Sequence, residues 1–346
     1  MKNKSFRAWI LLVSAIIFSS IPGLAGAQMS FDSIVVFGTS LSDPGNAFTL
    51  LAHPVPGLDL EDGVIHNTPP YDMLDESLIP SAPYAKGGHH FSNGATWVEQ
   101  FAQGRGLAAY VAPAFQSNNK KARNYAVGGA RAANYPDRVN LPQQVQTFLD
   151  DVQYEAPTNA LYVIEMGNND IRDALVQFST VFYLTGDITL ATQSANVVIA
   201  DALHAISANI ECLYTHGARK FFVWNAARLD LLPAVTALGL DAQAAAYSLT
   251  SRFNDAMAQI LLDLSALPDC QIAQMDIASQ MATMISAPSD FGLTNVTTPC
   301  ITPDSPPFTC KHPDSFFFWD GIHPTKSAHA IFNQMTADIL ASYPNP

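Results

Sequence analysis

Five short apolar runs recur along this chain, at 33–37, 123–127, 161–165, 220–224 and 271–275. Each is nearly continuous in apolar residues rather than alternating. That pattern suits strands buried on both faces, as in a parallel sheet covered on each side. Between and after them lie stretches with helical spacing, at 95–103, 141–151, 195–215, 241–267 and 326–342. Parallel strands need long crossovers, and helices supply them with a right-handed sense. The alternation predicts an α/β sandwich. Two segments, 51–93 and 286–315, are rich in Pro and Gly or lack a clear period. Long irregular segments in such folds are usually functional loops.

The first residues read as an export signal. Lys2, Lys4 and Arg7 precede an apolar stretch from Trp9 to Phe18, and Ala25-Gly26-Ala27 offers small residues for cleavage. The competing reading is a permanent membrane anchor, but the run is short of the ~20 residues a spanning helix needs. The expectation is a signal peptide over 1–27 and a single domain over 28–346, with no permanent membrane anchor and a secreted or periplasmic location. Removing 1–27 takes the formal net charge from −13 to −16. Such an acidic chain argues against nucleic acid as a partner and against adsorption to anionic lipid. With 48% apolar residues it has ample material for a core.

Four cysteines lie in the mature part: Cys212, Cys270, Cys300 and Cys310. Export makes disulfides available to them. The favoured pairing is Cys300–Cys310, closing a Pro-rich loop, with Cys212–Cys270; free buried thiols are the alternative for the second pair. No Cys-x-x-Cys spacing suggests a metal site. His53, His66, His89 and His90 read as solvated loop residues rather than a metal cluster. Asn295-Val296-Thr297 is a glycosylation sequon, usable only in a eukaryotic secretory route.

Two segments at opposite ends carry the candidate chemistry. Gly38-Thr39-Ser40-Leu41-Ser42-Asp43 follows the first apolar run, so Ser40 stands where a buried strand stops. Helix-opening amides nearby would favour negative charge. Serine needs a neighbouring base to become a nucleophile. Asp320-Gly321-Ile322-His323 supplies an imidazole and, three positions earlier, a carboxylate to orient it. Read alone, Asp320 is equally a helix cap and His323 a surface residue before Pro324. Two further strand ends run into turns: Asn124-Tyr125-Ala126-Val127-Gly128-Gly129-Ala130 and Glu165-Met166-Gly167-Asn168-Asn169-Asp170. An ester's tetrahedral intermediate needs donors aimed at its oxyanion. The aromatic run 316–319 reads as core or pocket wall behind the Asp320–His323 loop.

In this order the blocks resemble the GDSL lipases and esterases, also called SGNH hydrolases. Phe91-Ser92-Asn93-Gly94 with Trp97-Val98-Glu99 also resembles a stretch seen in many members. The resemblance implies a flavodoxin-like three-layer α/β/α sandwich with a five-stranded parallel sheet. It implies hydrolysis of carboxylic esters through an acyl-enzyme, with no metal and no cofactor. Ser40, His323 and Asp320 would form the triad; the Ser40 and Gly129 amides and the Asn169 side chain would form the oxyanion hole. The expected partner is a small-molecule or lipid ester. Acyl transfer, lysophospholipid hydrolysis, and a catalytically silent binding protein keeping the fold are the alternatives. One residue departs from the pattern: Thr39 stands where the family usually has Asp. The expectation is that Thr39 supports the turn without moving protons, and that Thr39→Asp changes the rate by less than about tenfold, or ~1.4 kcal/mol of barrier.

Overall fold

The computed structural model describes residues 29–51, 89–116, 119–136, 138–301 and 309–343. Residues 1–27, with the expected signal, lie outside that set, as do His53, His66 and part of 286–315.

Among the described residues four parallel strands form the sheet: β1 (Ser33–Gly38), β2 (Ala160–Glu165), β3 (Lys220–Trp224) and β4 (Gln271–Met275), side by side in chain order. The helices are α1 (Asn46–Leu51), α2 (Trp97–Gly104), α3 (Leu141–Asp151), α4 (Asn168–Thr185), α5 (Ile188–Thr215), α6 (Pro233–Thr236), α7 (Leu240–Ser265), α8 (Ile277–Ser286) and α9 (Lys326–Ser342). Successive strand residues face opposite ways, so each strand feeds two cores. Val35, Phe37, Tyr162, Ile164, Phe221 and Val223 pack under α3, α4, α5 and α7. Ile34, Val36, Leu161, Val163, Phe222 and Trp224 pack under α2, α8 and α9. These two cores make the three-layer α/β/α sandwich and explain why the strands read as unbroken apolar runs.

The expected fifth strand at 123–127 is a correction. This segment lies along the free edge of β1, where Val36 N–H donates to Arg123 O (2.9 Å), Tyr125 N–H to Val36 O (2.8 Å) and Val127 N–H to Gly38 O (3.1 Å). The ladder nevertheless reduces to one bridge, Val36 with Asn124. The Gly38 N–H, which would extend it, donates instead to Gln144 Oε1 at 2.9 Å. On the other side, Asn46 Nδ2 takes the carbonyls of Asn124 (2.8 Å) and Ala126 (2.9 Å). Among the described residues, backbone pairing on that side is limited to a second isolated bridge, Pro113 with Asn124, where Ala114 N–H donates to Asn124 O at 3.0 Å. Counting this segment, the spatial order is 2-1-3-4-5, the flavodoxin-like order, whose ligands bind beyond the carboxyl ends of the strands.

The loop ahead of α9 is braced by a disulfide, Cys300–Cys310. Cys300 N–H and Ile301 N–H donate to Phe318 O (3.0 Å) and Trp319 O (2.9 Å), so the bridged segment buttresses Asp320. Phe317, Phe318 and Trp319 are buried, as the aromatic run suggested. Cys212 and Cys270 are free thiols, against the favoured pairing. Both pack partly buried against the core, where burial raises their thiol pKa, for Cys270 to about 11. Helix α5 is long and apolar enough to cross a membrane by composition alone. Here its Ala195, Ile199, Ile206 and Ile210 are core residues of the sandwich.

Gln144→Leu keeps bulk but leaves the buried Gly38 N–H without a partner. Loss of one buried hydrogen-bond partner costs about 1–3 kcal/mol. Denaturant unfolding should show a destabilisation of about 2 kcal/mol, and an unchanged midpoint would remove Gln144 from the account of this edge.

Candidate active site

Ser40 emerges one residue past the buried Thr39, at the carboxyl end of β1. The turn closes through Ser42 N–H to Thr39 O at 3.1 Å. Asp43 then ends the excursion. Its buried carboxylate accepts the N–H groups of Gly45 (2.7 Å), Asn46 (2.6 Å) and Ala47 (3.0 Å), opening α1, and that of Gly128 (2.8 Å). One side chain therefore fixes both the Ser40 turn and the Gly128-Gly129 turn.

His323 arrives from the other end of the chain. Its Nε2 lies 2.8 Å from Ser40 Oγ, and its Nδ1 lies 2.8 Å from Asp320 Oδ2. Asp320 is fully buried, and its Oδ1 accepts the N–H groups of Ile322 and His323, each at 2.7 Å. Every oxygen of that carboxylate thus points at the loop it organises. With Nδ1 at Asp320, Nε2 faces Ser40 Oγ, a geometry in which a neutral imidazole can accept a hydroxyl proton. The aspartate is more than the helix cap it resembles in sequence: Thr325 caps α9, accepting Ala328 N–H at 3.2 Å.

Asn169 lines the same cavity as Ser40, and Gly129 follows the Gly128 amide that Asp43 holds. Gly129 has φ +78°, which disfavours any side chain there. Arg131 Nη1 donates to Gly129 O, while the same guanidinium grips Asp173 through Nε (2.7 Å) and Nη2 (2.9 Å). Asn169 is the second residue of α4, which follows Gly167, whose φ is +113° and where a Cβ would meet Phe253 at 2.3 Å. One N–H of the Asn169 amide donates to Ala130 O at 2.8 Å, orienting the group against the Gly129 turn. All the residues singled out from sequence, Ser40, Gly129, Asn169, Asp320 and His323, come to one end of the sheet.

The stretch 91–99 stands out in the sequence only as a resemblance, with no role attached to its residues, and the structure shows what they hold. Trp97 Nε1 donates to Ser42 Oγ (3.1 Å), Ser92 Oγ to Pro324 O (2.8 Å), and Lys326 N–H to Asn93 Oδ1 (2.6 Å). The segment before α2 thereby straps the Ser40 turn to the His323 loop. Phe91 lies 5.2 Å from the His323 ring. His90 is buried against Glu99 (3.1 Å) rather than solvated. His89 stacks on Phe48. Among the described residues no cluster of three or more His, Cys, Asp or Glu side chains is arranged around a metal position.

A cavity of about 270 Å³ opens at Ser40. Leu41, Leu175, Leu229, Leu232, Val235 and Leu238 give it an apolar wall, with Asn169 at the same mouth.

Buried carboxylates set an unusual pH balance. Desolvation pushes Asp43 and Asp170 up to about 6, against the hydrogen bonds that each accepts from backbone N–H groups. A carboxyl raised from 3.8 to about 6 binds its proton more tightly when folded. Its stabilising contribution is complete below about pH 4 and is lost as pH rises through about 6. Asn cannot ionise. Between pH 4 and pH 7.5 the stability of Asp43→Asn relative to wild type should therefore improve by about 2 kcal/mol. Parallel stability curves across that range would contradict it.

Comparison with known proteins converges on one family. The model of the GDSL-like lipase/acylhydrolase family matches residues 34–334. The Arabidopsis thaliana GDSL esterase/lipase At1g71691 is 26% identical over 350 residues, covering 90% of this chain and 83% of the relative. The GDSL esterase/lipase EXL6 of the same plant is 23% identical, covering 95% of this chain and 96% of its own length. Among solved structures, an extracellular lipase from Streptomyces rimosus aligns over 89% of this chain and 99% of its own, at 13% identity and a TM-score of 0.40. With the family model spanning most of its length, this chain belongs to the GDSL-like lipase/acylhydrolase family and is a carboxylic ester hydrolase.

Proposed function

We propose that the chain hydrolyses esters through an acyl-enzyme on Ser40, with His323 as base and Asp320 as its orienter. The observation that carries this reading is the unbroken row from Ser40 Oγ to His323 Nε2 to Asp320, each contact 2.8 Å. His323 Nε2 takes the proton as Ser40 Oγ adds to the ester carbonyl. The tetrahedral oxyanion is held by the amides of Ser40 and Gly129 and by Asn169 Nδ2. Collapse expels the alcohol, which receives the proton from His323. Water then adds to the acyl-enzyme with His323 again as base, releasing the acid and restoring Ser40. A silent binding protein would have no use for a serine held in contact with a carboxylate-oriented histidine.

In this reading the acyl chain, rather than a polar alcohol, occupies the apolar cavity beside Ser40. Its walls come from α4 and from the segment around α6. Substrates in this reading are esters of medium-length apolar acids. Export belongs to the same reading, supported by the basic, apolar and small-residue order of 1–27 and by the Cys300–Cys310 disulfide. We take 28–346 as one domain.

Ser40→Ala should lower ester hydrolysis by up to about 10⁶ while the protein remains folded. Asn169→Ala should lower kcat by about 10²–10³ with KM little changed, because its bond strengthens in the transition state. Steady-state kinetics on a p-nitrophenyl ester reads both. More than a few per cent of activity in purified Ser40→Ala would discard Ser40 as nucleophile, and a pure KM effect would reassign Asn169 to substrate binding.

Ala234 lines the cavity from α6 and is half-buried. Ala234→Phe should fill part of it. Turnover of an acetyl ester should stay within about threefold of wild type, while kcat/KM for a decanoyl ester falls by about tenfold or more, the order of one to two methylenes of lost apolar contact. An equal loss on both esters would move the acyl chain elsewhere.

A further inference from the structure

The sequence leaves Thr39 as an anomaly beside the nucleophile, and the structure shows what faces it. Gly38 and Glu165 are register partners across the β1–β2 ladder. Because both strands end there, the Glu165 side chain turns under the residues that follow Gly38. It is 1% exposed. Its Oε2 accepts Thr39 N–H at 3.0 Å, and Thr39 Oγ1 lies 2.9 Å and 3.0 Å from Oε1 and Oε2. Ser42 Oγ donates to Oε2 at 3.2 Å and itself accepts Trp97 Nε1–H at 3.1 Å. The approach is close: a Cβ on Gly38 would sit 3.1 Å from Oε2.

These contacts bracket Ser40. Residue 39 is fixed by its backbone N–H and its hydroxyl, residue 42 by its hydroxyl, and both reach the same carboxylate. The backbone between them sets where Ser40 Oγ and the Ser40 N–H point. Glu165 does not line the cavity at Ser40, so any effect on chemistry passes through that turn. We propose that Glu165 is a positioning residue for the nucleophile: its carboxylate, delivered from β2, does at this turn what a carboxylate at position 39 does in a Gly-Asp-Ser-Leu tetrad. The inference rests on Ser40 being the nucleophile. Burial holds the Glu165 carboxyl up at about 7, against the hydrogen bonds it accepts, so the pocket has little capacity for a second negative charge.

The arrangement reverses the expectation drawn from sequence for Thr39→Asp. A carboxylate at 39 would meet the Glu165 carboxylate inside a site closed to water. The two positions should therefore behave as a coupled pair, and exchange of the acid between them is the discriminating test.

Four proteins are compared by kcat and KM on p-nitrophenyl butyrate: wild type, Thr39→Asp, Glu165→Gln, and the double variant Thr39→Asp/Glu165→Gln. Thermal unfolding is recorded for each, and Ser40→Ala serves as control. Thr39→Asp should lose about 30-fold or more in kcat, and Glu165→Gln about tenfold or more, each with KM within about threefold. The double variant, with one carboxylate restored at the turn, should recover to within about tenfold of wild type. A residue that only stabilised the fold would give additive losses and no recovery. Wild-type kcat in Glu165→Gln, or a double variant no better than Thr39→Asp, overturns the proposal. Should Glu165→Gln fail to fold, the double variant still decides, because recovery of both folding and kcat there requires the exchange. Activity retained by Ser40→Ala would instead refute the reading of the nucleophile on which this inference rests.

Discussion

Strand β1 ends inside the molecule, and its last polar groups must be paired there. Beyond Gly38 the regular ladder stops, yet the backbone stays buried through Thr39. An unpaired buried amide costs about 1–3 kcal/mol. The chain meets that demand with side chains: Gln144 for the Gly38 N–H, Glu165 for the Thr39 N–H, and Asp43 for the amides that open α1. Each arrives from a different element. The strain-free satisfaction of these few groups is what allows a serine to stand at the lip of the sheet with its hydroxyl free to meet an imidazole.

The same demand links the two ends of the sequence. Asp320 is buried, so it must accept donors, and it takes two amides of its own loop besides His323 Nδ1. That loop is in turn held from behind by the Cys300–Cys310 segment and from the side by the Ser92–Asn93 strap. Trp97, at the start of α2, donates to Ser42 and packs 4.6 Å from the Trp224 ring. The distance between Ser40 and His323 is therefore a property of several packed elements rather than of two loops.

Much of this was legible in sequence, for identifiable reasons. β1, β2, β3 and β4 were readable because strands buried on both faces leave unbroken apolar runs. Ser40, Gly129, Asn169, Asp320 and His323 were readable through the resemblance of their ordered blocks to the family, each block alone being a plausible turn, and the structure brings them to one end of the sheet. The edge segment 123–127 misled because its apolar residues are real core, while Gln144 captures the Gly38 N–H that would have extended its ladder with β1. Helix α4 was invisible: Val176, Phe178, Thr180, Val181 and Phe182 favour strands locally, and its packing on α5 decides the outcome. Glu165 was visible only as the end of a strand. Its role depends on the β1–β2 register, which places it beside Gly38 and which no local pattern encodes. The thiols of Cys212 and Cys270 were joined on compartment alone, without knowledge of what each packs against.

The central claim is that one serine, activated through His323 and Asp320, becomes covalently acylated. A fluorophosphonate probe reports that directly, since it reacts with a serine only where a base and an oxyanion site are assembled around it. Mass spectrometry of the labelled, digested protein should find one adduct, on the peptide containing Ser40, and none in His323→Ala. An ester-hydrolysing preparation that takes no label, or one labelled at a residue other than Ser40, would contradict the account.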